Sequence, residues 1–303
     1  MSKYAYARKR GHKPLAALVA VILVTAALIG GAMAWIDFTQ SRTNKFRGTY
    51  DADVTLHDEF DGLNKDVFVE NSGTNPIYVR VRLDEYMQVG DKIFTMSGGP
   101  EPNVRDKNTW IPHTYTGTDI SDCEQTDTAD KFHDYYVWSM SGMERDYTPG
   151  TPGMVYSTLG SDGMVDRTDT GGSPTPHHTA PMCVPMKLSQ YMLLLSGELA
   201  GTLTPEEQQR LNAAKAGCWL ADDTDTAANG GAWAYWSTAL EPDTATNLLL
   251  DKVTLKKDAE DDWIYRIDVK LQAVTLTDTV KWDENGWLST AAAKSLFETW
   301  NAA

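Results

Sequence analysis

Two segments with alternating apolar and polar side chains constrain the fold most strongly. Ile77–Leu83 places aliphatic side chains on one face and Tyr78, Arg80 and Arg82 on the other. In residues 263–276, where Ile264 is out of phase, Asp268, Lys270 and Gln272 lie opposite the face formed by Tyr265, Ile267, Val269, Leu271, Ala273 and Thr275. A period of two is typical of β-strands that bury one face. The chain is therefore predicted to be mainly β.

Shorter runs predict the remaining elements. Further strands are expected at residues 52–56, 66–70, 135–138, 232–236, 247–250 and 253–255. A helix is expected after Thr204, because Thr204 and Glu207 form a capping-box pattern around Pro205, and Gly217 ends it. A second helix is expected at about 290–300, where Leu296, Phe297 and Trp300 have helical spacing.

The middle of the chain has a different texture. From about Gly90 to Pro185, glycine, proline, threonine and aspartate interrupt short apolar runs. A structureless loop of this length is unusual in a compact domain, so an insertion at about 90–218 with its own short strands and turns is expected. The predicted fold is a jelly-roll-type β-sandwich at 51–276, carrying this insertion with one short internal helix, and a tail at 277–303 with the C-terminal helix.

The first 34 residues are typical of a signal peptide. A basic start is followed by the uncharged residues 15–34, which end in the small-x-small pattern of Ala32, Met33 and Ala34. The basic residues are Lys3, Arg8, Lys9, Arg10 and Lys13. Cleavage by a signal peptidase before Trp35 would release a secreted or cell-surface protein. The alternative is an uncleaved anchor, in which only this segment contacts the membrane.

The charge of the exported part excludes several partners. The chain has 27 basic and 42 acidic side chains and a net charge of -15. The five basic residues of the signal leave 22 basic residues against the same 42 acidic ones. Such a surface argues against nucleic acid or anionic lipid as a partner. The roughly 265 exported residues are enough for one substantial core.

Cysteines, histidines, acidic residues and aromatics indicate no cofactor, metal or catalytic site. Cys123, Cys183 and Cys218 lack metal-ligand spacing, and free thiols are expected more than a single disulfide. His177, His178, Met182 and Cys183 offer donors for a soft metal site, but a surface loop is favoured. Solvated loops are likewise favoured over calcium sites at Asp162, Asp166 and Asp169 or at Asp222, Asp223 and Asp225. Trp233, Tyr235, Trp236 and Trp263 are interpreted as core residues and not as a carbohydrate platform.

No motif of an enzyme is present either. The sequence lacks a G-x-S-x-G elbow, an H-E-x-x-H pair, a P-loop and a dinucleotide fingerprint. Its carboxylates are numerous, but no spacing selects two of them as a glycosidase pair. We therefore expect a protein that is not an enzyme.

Three segments together resemble the TasA/camelysin-type exported proteins. The first is the export junction at 30–38, followed by Ser41, Asn44, Phe46 and Gly48. The second, residues 65–82, consists of a strand, an N-x-G turn and another strand. The third, within 233–274, consists of an aromatic strand, a proline turn and a closing strand. Members of that family are processed by a dedicated signal peptidase and include biofilm-fibre subunits. The glycine here follows Phe46 by two residues instead of three, and the middle of the chain has no counterpart in the family.

The resemblance implies a jelly-roll fold and fibre assembly by strand donation. The extended segment at 35–50 would complete the sheet of the next subunit, with Trp35, Ile36, Phe38 and Phe46 filling pockets. The expected function is a secreted or cell-surface structural protein of an extracellular matrix or biofilm fibre, which associates with itself or with matrix proteins. Two alternatives stay open: the segment folds back on its own domain, or the protein is a monomeric surface module that binds a glycan or host ligand.

Overall fold

A computed structural model gives the architecture of most of the chain beyond residue 41. It describes residues 42–44, 54–60, 64–96, 99–115, 120–121, 131–147, 158–159, 165–166, 177–225, 232–256, 263–275, 288 and 290–302. The strands are β1 Arg42–Asn44, β2 Val54–Phe60, β3 Asn64–Asn71, β4 Ile77–Val89, β5 Lys92–Ile93, β6 Ile111–Pro112, β7 Tyr136–Ser139, β8 Asp146–Tyr147, β9 Thr158–Leu159, β10 Val165–Asp166, β11 His177–His178, β12 Met186–Lys187, β13 Trp219–Ala221, β14 Trp233–Trp236, β15 Thr244–Ala245, β16 Leu250–Leu255 and β17 Trp263–Thr275. The helices are α1 Leu188–Ala200, α2 Pro205–Ala216 and α3 Ala291–Ala302.

The two segments with the strongest alternation form one long antiparallel pair. β4 and β17 are paired along their full 13 residues, from Ile77 opposite Thr275 to Val89 opposite Trp263. The predicted faces are confirmed, because Val79, Val81 and Ile267 are fully buried in the main core. β4 is longer than the alternation indicated, and it continues six residues beyond Leu83.

Two sheets face each other across this core. Among the described residues, eight strands form sheet A in the order β1-β17-β4-β14-β13-β12, with β5 and β6 also on β4. Five strands form sheet B, in which β3 pairs with β2, β15 and β16, and β16 pairs with β7. The core between them combines Val81 and Ile267 of sheet A with Leu56, Val69 and Trp138 of sheet B. The prediction of a mainly β protein is confirmed.

Three helices cover one end of the outer face of sheet A. Tyr78, on the outer side of β4, stacks on Trp300 of α3 with ring centroids 4.1 Å apart. The predicted capping box of α2 is confirmed, since Glu207 N–H donates to Thr204 Oγ1 over 3.3 Å and Glu207 accepts from Thr204 N–H. The C-terminal helix is also confirmed. Because of the helices, the outer side of sheet A is largely buried as well.

Two local predictions differ from the structure. α1 was not predicted, because the residue before it, Lys187, makes no capping side-chain bond, and apolar residues surround the helix instead of marking one stripe. Residues 247–249 do not form a separate strand but precede β16, although Leu248 and Leu249 are buried as core residues are.

The segment predicted as an insertion contributes to both sheets. β6 pairs with β4 and β12 with β13 in sheet A, whereas β7 pairs with β16 in sheet B. A disulfide joins Cys183 to Cys218 with their Cα atoms 5.4 Å apart, so the expectation of free thiols is wrong for these two residues. Their separation of 35 residues gave no sequence signal, because the pairing depends on β12 lying beside β13. Cys123 lies outside the described residues.

The backbone at the end of α2 requires glycine. Gly217 has a φ of 134°, and a Cβ there would lie 2.6 Å from Cζ2 of the buried Trp236. We expect Gly217→Ala to lower the free energy of unfolding by about 2–4 kcal/mol, because backbone strain and overpacking both oppose it. Chemical denaturation followed by tryptophan fluorescence measures this change.

Gly201 is the matched control for that substitution. It has a φ of 66° at the end of α1, and a Cβ there would meet no atom within 4 Å. Gly201→Ala should therefore cost only the left-handed conformation, about 1 kcal/mol. Equal costs for the two variants would show that contact with Trp236 contributes nothing.

Candidate functional sites

The edge of β17 is the first candidate site. β1, which belongs to the predicted lead-in segment, pairs with this edge in parallel, with Arg42 opposite Val269 and Asn44 opposite Leu271. Strand edges carry unpaired backbone groups that another strand can satisfy. The segment thus provides a strand for sheet A. The predicted cleavage residues Ala32, Ala34 and Trp35, and the predicted pocket-filling residues Ile36, Phe38 and Phe46, lie outside the described part of the chain.

A polar cleft on the outer face of sheet A is the second candidate site. It has a volume of about 450 Å³ and lies beside the end that the helices cover. Strands β4, β14 and β17 form its floor, and the loop between β5 and β6 forms its wall. The residues that matter most for its chemistry are Arg82, Arg105, Lys107, Trp233, Asp268 and Lys270.

A buried pair of carboxylates organises the charges of this cleft. Asp84 and Asp268 are directly opposite each other in the β4–β17 register, and each is only 1% exposed. Like charges in this position destabilise a sheet unless cations compensate them. Arg82 Nε lies 2.8 Å from Asp84 Oδ1, and Lys270 Nζ also contacts Asp84. Lys107 Nζ lies 3.3 Å from Asp268 Oδ1.

Hydrogen bonds and a cation–π contact of Arg80 connect the side chains at the end of the cleft nearest the helices. Arg80 donates from Nε to Gln272 Oε1 over 2.8 Å and from Nη1 to the Tyr235 hydroxyl over 3.2 Å. Its guanidinium carbon lies 4.2 Å from the ring centre of Trp233. Burial lowers the pKa of Arg80 and raises the pKa of Tyr235 to about 12. These side chains therefore act as fixed hydrogen-bonding groups and as a support for Trp233.

Several residues of the metal sites considered in the sequence analysis have other partners in the structure. His178 Nδ1 lies 2.5 Å from Asp146 Oδ1, and Cys183 is part of the disulfide. Asp222 accepts from the hydroxyls of Thr290 and Thr224 at 2.6 and 2.8 Å.

Asp223 accepts from Ser189 N–H at the start of α1, so it serves as a helix cap. The sites of Asp162 and Asp169 lie outside the described residues, as does the side chain of Asp166. The interpretation of the aromatic cluster as core is confirmed, because Trp233, Tyr235, Trp236 and Trp263 are all buried.

Sequence reasoning did not identify the cleft. The alternation placed Arg82, Asp268 and Lys270 on the outer face of the long strands, which was a usable signal. No sequence pattern indicated that Arg105 and Lys107 contribute to the cleft, because their position depends on how the loop after β5 returns to β17.

These features define a mainly β protein with two facing sheets, helices on one outer side and a charged cleft beside them. No protein-family model, curated protein or solved structure matches the chain. The resemblance to the TasA/camelysin-type proteins therefore stays a prediction based on the three segments. In the part that the structure describes, no helix is long and apolar enough to cross a bilayer.

The compensation of Asp84 and Asp268 can be tested by removing one cation. Lys270→Met should lower the free energy of unfolding by about 1–3 kcal/mol, because it leaves a buried carboxylate with fewer partners. Lys252→Met is the matched control, since Lys252 is an exposed lysine on β16, and it should change stability by less than about 0.5 kcal/mol. Urea denaturation of both variants measures the difference, and equal effects would contradict the compensation.

Proposed function

We propose that the protein is a secreted or cell-surface structural protein that contributes to an extracellular matrix or biofilm fibre. In this proposal the two facing sheets form a jelly-roll-type sandwich, and neighbouring subunits associate through strand addition. The signal-peptide pattern and the resemblance to the TasA/camelysin-type proteins support the location and the role. The pairing of β1 with the edge of β17 is the structural observation that carries the assembly.

Strand addition at this edge is physically favourable. β17 is 13 residues long, and its other side is fully paired with β4. A parallel strand from residues 42–44 pairs with part of the open edge of β17. Either the same chain or a neighbouring copy can supply such a strand. A segment released by cleavage near Trp35 has a free end. It can therefore pair with its own domain or with the next subunit, and the second arrangement continues into a fibre.

A photocrosslinker at position 43 distinguishes the two arrangements. Thr43 is opposite Lys270 in the register, so benzoylphenylalanine at this position should react with β17. We would refold an unlabelled chain that carries the probe together with a ¹⁵N-labelled chain that lacks it, and identify the crosslinked peptides by mass spectrometry. If strands are exchanged between subunits, crosslinks between an unlabelled and a ¹⁵N-labelled chain should increase with protein concentration.

The same probe at Thr55 is the matched control. Thr55 lies on β2, opposite Glu70 within sheet B, so its crosslinks should stay within one chain at every concentration. Crosslinks from position 43 that also stay within one chain, in a protein that remains monomeric, would contradict assembly through this edge and favour the segment that folds back.

The cleft favours a second candidate function, a surface module that binds an acidic glycan. In a chain whose net charge is -15, four cationic side chains and two carboxylates line the cleft, so its lining has more positive than negative groups. The cations are Arg82, Arg105, Lys107 and Lys270, and the carboxylates are Asp106 and Asp268. Arginine and lysine recognise carboxylate and sulfate groups through charge-assisted hydrogen bonds. Trp233 is only 7% exposed, so charge and not stacking would give the affinity.

Charge removal at the rim of the cleft tests this second function. Arg105→Gln should weaken binding of alginate about fivefold to tenfold at low salt, with the difference shrinking at high salt. Arg210→Gln, which removes an exposed arginine from α2, should leave binding unchanged. Titration calorimetry with alginate and with neutral dextran provides the comparison, and equal binding of the two polysaccharides would exclude an acidic-glycan site.

A further inference from the structure

Three ionisable side chains converge inside the apolar core between the sheets. Glu85 is on the inner side of β4, between the core residues Leu83 and Met87. His113 follows β6 directly, and its N–H donates to the Leu83 carbonyl over 2.7 Å. His133 belongs to a short 3₁₀ turn, Phe132–Asp134, that precedes β7. Glu85 and His113 are 0% exposed and His133 is 3% exposed, so the cluster is shielded from solvent.

The side-chain atoms of these residues point at a common centre. Glu85 Oε1 lies 2.9 Å from His113 Nδ1, and Glu85 Oε2 lies 3.5 Å from His133 Nε2. One carboxylate oxygen and one nitrogen from each imidazole all lie within 4.8 Å of one another. Two imidazoles and a carboxylate are a typical donor set for zinc and for other divalent transition metals.

The neighbours of the cluster hold the three side chains in place as metal sites require. His113 uses its second nitrogen, Nε2, for the carbonyl of Ile120 at 3.0 Å, and its ring stacks on Trp138 at 4.1 Å. Trp138 Nε1 donates to the Tyr265 hydroxyl over 2.8 Å, and that hydroxyl donates to Glu85. A backbone carbonyl on the outer nitrogen of a ligating histidine, and a hydrogen bond to the ligating carboxylate, are common in metal sites.

Hydrogen bonding alone leaves the cluster incomplete. His133 is buried, and its Nε2 lies 3.5 Å from Glu85 Oε2, so neither of its ring nitrogens has a well-formed hydrogen bond among the described residues. A buried polar atom without a partner is costly, and a partly satisfied buried network is less stable than an apolar core. A cation at the common centre would engage His133 together with Glu85 and His113.

We propose that Glu85, His113 and His133 bind a divalent transition-metal ion, with Zn²⁺ as the best match to the donor set. Trp138 stacks on His113 and Tyr265 donates to Glu85, so core side chains shield the site, and we assign the ion a structural role. The ion connects β4 of sheet A to the turn that begins β7 of sheet B. Its binding therefore stabilises the packing of the two sheets, independently of how the protein assembles.

Zinc content and thermal stability test the site in the purified full-length chain. After removal of metal with EDTA, the chain should take up about one Zn²⁺ ion, and its melting temperature should rise by roughly 5–10 °C at saturating Zn²⁺. His133→Gln keeps a polar side chain of similar size but should abolish both effects. A full-length chain that takes up no Zn²⁺ would overturn the proposal.

Two further histidines are matched controls. His57 is also buried, and its Nε2 lies 2.9 Å from Glu70 Oε2. His178 is exposed and contacts Asp146. His57→Gln and His178→Gln should retain stoichiometric Zn²⁺ and the rise in melting temperature. Loss of Zn²⁺ in either control, with His133→Gln still binding it, would place the ion elsewhere and overturn the proposal.

A measurement on the unmodified chain covers the case in which His133→Gln does not fold. The sequence has six histidines, so ¹⁵N-histidine labelling gives a small set of imidazole signals. Zn²⁺ should shift the ring-nitrogen signals of two of them, and His113 should coordinate through Nδ1 because Nε2 faces the Ile120 carbonyl. Shifts in all six signals, or in none, would contradict a site made by His113 and His133.

Discussion

The pairing of β4 with β17 is the constraint on which the rest of the structure depends. Its register decides which side chains enter the core, and a slip of one residue would exchange the two faces completely. The same register sets Asp84 beside Asp268 and so requires the cations of the cleft. It also leaves the far edge of β17 for β1. The core, the cleft and the edge are three consequences of one set of backbone hydrogen bonds.

Consecutive residues of β4 have opposite chemical environments. Asp84 is buried on the outer side of the strand, where Arg82 and Lys270 of the cleft compensate its charge. Glu85 faces the core; burial alone would raise its pKa, but His133 and His113 lower it to about 2, so the carboxylate is ionised there. One strand thus supplies a polar surface site and an anionic centre between the sheets, because successive side chains point to opposite sides.

Much of the fold could be predicted from local patterns, but the complete cleft and the cluster of Glu85, His113 and His133 could not. Alternation identified the faces of both long strands, and the pattern at Thr204 and Glu207 located α2. Local patterns have no information about contacts between distant segments. His113 reaches Glu85 from 28 residues away, and Arg105 reaches the cleft through a loop. The role of the segment 90–218 was likewise hidden, since its sheet strands are only two to four residues long.

The Cys183–Cys218 disulfide makes the helical layer resistant to separation by a single cut in its backbone. The bond encloses both α1 and α2, and it closes a loop of 35 residues. Closing such a loop restricts the unfolded chain by about 3–4 kcal/mol in the chain-entropy description. A protease that cuts the exposed turn at Gly201 would therefore leave two fragments that stay covalently joined and still dock on sheet A. This part of the surface tolerates a cut that would separate the ends of an unbridged loop.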